Sequence, residues 1–150
     1  MGCDIHMVLE RKMGDRWIGV RDVEHFQNYR YDEETKSWKR EFIWCRARQR
    51  NYDLFAKLAG VRGDGPDAKG MPGDASELAV AMSEQWGGDG HSHSYCLLQE
   101  FLENAAASER NPAEVFLAEH PAVSSPFTYF FGMYEPEENE EYRVVFWFDN

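Results

Sequence analysis

The sequence predicts a single α+β domain, with an antiparallel or mixed sheet that includes strands from both ends of the chain and carries several short helices. Three observations predict it. Residues Cys3–Glu10 alternate, with Cys3, Ile5, Met7 and Leu9 on one side and Asp4, His6, Val8 and Glu10 on the other, the period of a strand. Residues Tyr142–Phe148 are strongly apolar, as a strand buried in a sheet would be. Between them lie capped, helix-length apolar stripes with no linker, repeat or low-complexity block. At 150 residues the chain fits one domain with a core of its own.

The elements follow in order. Met13-Gly14-Asp15 is turn-like and returns Arg16–Val20 as a hairpin partner. Asp4 and His6 then project from one face, roughly 7 Å apart along the strand, which suggests a sheet edge or end facing a cleft. Phe26–Asp32 and Ser37–Arg46 read as a second hairpin around Glu33–Lys36, with aromatic arms suited to cross-strand packing. Arg46, Arg48 and Arg50 follow at alternate positions. Asn51 caps a helix Tyr52–Ala59 that stops at Gly60. The loop Gly63–Gly73 is long for a connector and is therefore expected to be functional or mobile. Asp74 and Glu77 have capping-box spacing and open a helix to about Trp86. Ser94 is expected to cap another, from Tyr95 to about Ala107. Asn111-Pro112-Ala113-Glu114 predicts a further helix start, and Pro126–Met133 a loop or short strand.

Trp86-Gly87-Gly88-Asp89-Gly90-His91-Ser92-His93-Ser94 stands out among these elements. Folding alone does not ask for so many glycines beside two histidines and two serines, because glycine costs backbone entropy. The stretch reads as the centre of a polar site.

Composition excludes several classes. Sixteen basic against 27 acidic residues give a net charge of −11 and no basic footprint, which argues against non-specific nucleic-acid binding. The acids are dispersed among bases, which favours a solvated surface over mimicry of nucleic acid. No apolar run is long enough to cross a bilayer, and Cys3-Asp4-Ile5-His6 interrupts any signal-peptide pattern. Cys3, Cys45 and Cys96 are far apart and odd in number, so reduced thiols in a cytoplasmic protein are expected, with Cys3 and Cys96 as buried fillers. His25 and His120 are expected on the surface.

Met1-Gly2-Cys3-Asp4-Ile5-His6, Arg50-Asn51-Tyr52-Asp53-Leu54-Phe55-Ala56, Leu58–Arg62, Gly87–Ser94 and the ending Arg143–Asn150 together resemble a widespread family of small, uncharacterised phage and prophage proteins. The resemblance touches both ends and the middle of the chain. It implies a phage setting. By association it also implies counter-defence, in which such proteins bind or cleave the nucleotide signals of bacterial immunity.

Two chemistries suit the residues. In the first, the protein sequesters a nucleotide-derived small molecule. The Asp89–His93 loop gives N–H groups, hydroxyls (Ser92) and imidazoles (His91, His93), and a helix beginning after Ser94 adds its positive end to phosphate binding. Arg50 and Arg62 take phosphate, Tyr52, Trp86 or Tyr95 stacks on a base, and Asp4 or Asp89 accepts from ribose, with His6 completing the site. This reading needs no cofactor, and a homo-oligomer is expected because pockets between subunits bury more ligand. In the second, Asp4, His6, His91 and His93 ligate a divalent metal such as zinc or manganese, with Asp74, Asp89 or Asp149 completing the set, and a bound water attacks a phosphodiester. A third class is an acidic inhibitor that binds a protein. The plainest alternative gives the histidines structural hydrogen bonds only.

Overall fold

The computed structural model describes residues 2–20, 27–42, 50–109, 114, 118, 130–131 and 137–149. Its main sheet has four antiparallel strands in the order β2-β1-β6-β5, with β1 at Asp4–Met13, β2 at Arg16–Gly19, β5 at His91–Leu97 and β6 at Tyr142–Asp149. A separate hairpin pairs β3 (Gln27–Asp32) with β4 (Ser37–Phe42). The helices are α1 (Tyr52–Ala59), α2 (Glu77–Trp86) and α3 (Leu98–Ala107). Both terminal strands share the main sheet, as the sequence predicts. Cys45, Arg46, Arg48, His25, His120 and the expected helix start at Asn111 lie outside the described residues.

The alternation in β1 and β6 builds two cores, one on each face of the sheet. Ile5, Met7 and Leu9 join Val144, Phe146 and Phe148 beneath Leu54, Phe55 and Leu58 of α1 and Phe101 and Ala105 of α3. Val8, Val145 and Trp147 face the opposite way, against Ala79 and Met82 of α2. Strand β6 is therefore covered on both faces, which explains its nearly unbroken apolar run. Burying each large side chain of this kind stabilises the fold by roughly 1.5–3 kcal/mol.

Helix α1 forms where the caps place it. The Asn51 carboxamide oxygen accepts from the Leu54 N–H at 3.1 Å, and Gly60 closes the helix at φ +65° while its N–H reaches the Ala56 carbonyl at 2.8 Å. Asn51 also donates to Ser108 Oγ at 2.9 Å, tying α1 to the end of α3. Gly65 then passes so close to α1 that a Cβ there would lie 1.7 Å from the Ala56 carbonyl oxygen.

Three details differ from expectation. Strand β1 is the second strand in the sheet, flanked by β2 and β6, so Asp4 and His6 lie at a sheet end and not on an edge. Ser76, rather than Asp74, caps α2, its hydroxyl accepting from the Ala79 N–H at 3.2 Å. Asp74 instead accepts from Arg143 at 2.9 Å, a bond that holds its carboxyl below the usual range. Arg143 pairs as well with Glu10 beside it on β1, and Glu10 accepts the Ser76 N–H at 2.6 Å. This buried clamp anchors the start of α2 to the sheet. Finally, His91–Leu97 is a strand, and the helix begins only at Leu98, so Ser94 caps nothing.

Candidate functional site

The glycine- and histidine-rich stretch becomes a short 3-10 turn, Gly87–Asp89, followed by a bulged strand. His91 pairs with Phe148 and Ser94 with Phe146, so Ser92 and His93 together oppose Trp147. A bulge of this kind re-aims side chains, and Ser92 adopts φ +54°, a conformation uncommon for a residue with a Cβ. The phosphate-binding helix end expected after Ser94 is absent because this segment pairs with β6.

The bulge forms one wall of a cleft. Its other walls are Val80, Ser83 and Glu84 on α2 and Ala68, Gly70 and Met71 in the preceding loop. The cleft is broadly open to solvent and offers about 470 Å³, within the range of small-molecule sites. The loop is held along β5 by three bonds: Lys69 N–H to Ser94 Oγ at 3.2 Å, Gly70 N–H to the His93 carbonyl at 2.7 Å, and Lys69 Nζ to the Tyr95 carbonyl at 3.0 Å. Its polar centre is His93, whose Nε2 lies 2.8 Å from Ser83 Oγ. Trp147 stacks on the imidazole, with ring centroids 5.8 Å apart. Burial holds the His93 pKa below 6.5, and the neighbouring His91 pushes the same way, so the ring is neutral at pH 7.

A second polar group gathers where β1 begins and β6 ends. His6 Nε2 lies 2.6 Å from Asp149 Oδ2, and the Trp86 ring stacks on His6 at 4.0 Å. Burial lowers the His6 pKa in spite of the Asp149 carboxylate, so a neutral imidazole donates to Asp149. Arg50 donates to Asp4 through Nε at 3.0 Å. The Tyr52 hydroxyl accepts the Cys3 N–H at 3.3 Å, and the Arg62 guanidinium lies 5.4 Å from the Tyr52 ring centroid.

The predicted site residues therefore divide. Ser92 and His93 line the cleft, while Asp4, His6, Arg50, Tyr52 and Arg62 belong to the sheet-end network. Trp86, lying on His6, is at the C-terminal end of the helix whose middle lines the cleft. Asp89 is exposed in the 3-10 turn. His91 is half-buried, its Nδ1 2.9 Å from Ser92 Oγ. The four donors Asp4, His6, His91 and His93 do not converge as the metal reading expects. Each has a different partner, and among the described residues no three His, Cys, Asp or Glu side chains are placed to hold a metal ion. Asp74 is claimed by Arg143 and Asp149 by His6. Cys3 and Cys96 are buried as expected. Burial raises both thiols, Cys96 to about 12, so neither is a ready nucleophile.

The sequence reading misses Ser83 and Glu84, and it singles out the loop that carries Ala68, Gly70 and Met71 without assigning those residues to a site. No local pattern marks a serine in mid-helix, and only the packing of α2 beside the bulge reveals it. Among the described residues no helix is long and apolar enough to cross a membrane. Compared with known families, curated proteins and solved structures, the chain matches none.

Proposed function

We propose that the protein binds a nucleotide-derived small molecule in the cleft between α2 and the β5 bulge, and holds it without cleaving its phosphodiester bonds. The observation that carries this reading is the cleft itself, about 470 Å³ with Ser92 and His93 as one wall. Met71, Val80 and Ala68 offer apolar surface against which a base can pack. Ser83, Ser92 and a neutral His93 offer hydrogen bonds, and Glu84 suits ribose hydroxyls. Glu84 and the net charge of −11 disfavour a triphosphate tail, so the fitting class is a nucleotide with no terminal polyphosphate, cyclic or of ADP-ribose type. In the phage setting that the resemblance implies, such a protein would sequester an immune signal in the bacterial cytoplasm and so block host defence. Assembly as a homo-oligomer belongs to the same proposal.

The test is equilibrium dialysis of purified protein against cyclic dinucleotides and ADP-ribose-type nucleotides, followed by heat release and chromatography. Depletion of one nucleotide, with intact recovery, is the expected result. Absence of retention across the panel, or recovery as shorter products, would sink the reading. Val80 is partly exposed, so Val80→Trp can fill the cleft without disturbing the core and is expected to abolish retention.

A further inference from the structure

The cleft holds a pairing that ligand storage does not require. Ser83 Oγ lies 2.8 Å from His93 Nε2, the reach of a nucleophile to its general base. Both side chains are half-buried and both line the cleft, so a bound molecule can touch them. Trp147 stacks on the imidazole at an interplanar angle of 16° and sets its plane. A neutral ring with its proton on Nδ1 presents the Nε2 lone pair to the Ser83 hydroxyl.

We infer that Ser83 and His93 form a nucleophile–base pair that cleaves small uncharged carboxylic esters entering this cleft. Ser83 Oγ attacks the ester carbonyl as its proton passes to His93 Nε2. The C–O bond to the alcohol breaks, and the alcohol leaves with that proton. Water, deprotonated by His93, then attacks the acyl-serine. The carboxylic acid is released and the Ser83 hydroxyl is restored. Ser92 lines the same wall, and its hydroxyl, 2.9 Å from His91 Nδ1, serves the developing oxyanion by turning away from His91. Met71 and Val80 provide the apolar bed for an acyl chain.

The inference stands apart from nucleotide binding: labelling of Ser83 needs no nucleotide, and retention of a nucleotide needs no nucleophile. The experiment treats the full chain with a fluorophosphonate probe, locates the label by peptide mass, and follows hydrolysis of p-nitrophenyl butyrate. His93→Gln is the informative variant, since a glutamine carboxamide can still accept the Ser83 hydrogen bond but cannot take its proton. The expected results are a label on Ser83, its loss in Ser83→Ala, and labelling roughly 100-fold slower or more in His93→Gln. Circular dichroism of both variants should match that of the parent chain. An unlabelled Ser83 in the parent chain overturns the inference. So does His93→Gln labelling at the parental rate, or ester turnover that survives Ser83→Ala.

Discussion

The sheet-end network and the α2–β5 cleft each centre on a histidine and meet across Trp147, yet they are organised differently. At the sheet end each polar group is spent on a neighbour: His6 on Asp149, Asp4 on Arg50, the Cys3 N–H on Tyr52. In the cleft, Ser83, Ser92 and His93 line open space. Both regions contain a histidine whose pKa burial lowers. One imidazole is stacked beneath Trp86 and bonded to a carboxylate; the other shares a wall of the cleft with Ser92, bonded to Ser83 and stacked on Trp147. A concentration of histidine and aspartate in sequence therefore does not separate a lock from a site. What separates them is whether those bonded polar groups also line open space, as Ser83, Ser92 and His93 do.

That contrast can be broken by substitution. Locking groups should cost stability, and cleft groups should cost binding. The largest effect is expected at the buried clamp. Glu10→Ala leaves Arg143 buried without its partner on β1 and should destabilise the fold by about 3–5 kcal/mol, read by urea denaturation. Asp149→Ala removes the acceptor of a histidine that is 5 % exposed and should cost roughly 1–3 kcal/mol. Acid should act on both regions. The folded-state pKa values of His6 and His93 lie below 6.5, so the unfolded chain binds protons first as pH falls. Their contribution is complete above pH 6.5 and is lost as pH drops from there through the folded-state values, so the melting temperature should decline over that window. Val80→Trp should change stability by no more than about 0.5 kcal/mol while removing nucleotide retention. Smallest of all is Arg50→Ala, whose pair with Asp4 is half in solvent and should leave the melting temperature in place.

Much of the fold was legible because its causes are local. The two-residue period of β1, the Asn51 and Gly60 caps of α1, the glycines closing α2 and the apolar run of β6 each act within a few residues. The misreadings have distant causes. Asp74 and Ser76 are both good caps, and the choice fell to Arg143, 69 residues away, which takes the Asp74 carboxylate. Ser94–Leu97 carries apolar residues at spacings that suit a helix, but pairing with β6 across some fifty residues makes it a strand. The importance of Ser92 and His93 was readable from their glycine-rich setting. Their partner Ser83 was not, because it enters only when α2 packs beside the bulge. Asp149 was in view as a metal ligand, and the β1–β6 register, which pairs it with Asp4, delivers it to His6 instead.

The central claim is that the cleft, and not the sheet end, is the binding site. The direct measurement is unfolding free energy and nucleotide retention, side by side, for His6→Ala and His93→Gln. The expected result is that His6→Ala lowers stability while its folded fraction still retains the ligand, and that His93→Gln stays near parental stability while retention falls. The reverse pattern, with retention lost through His6 and kept through His93, would contradict it.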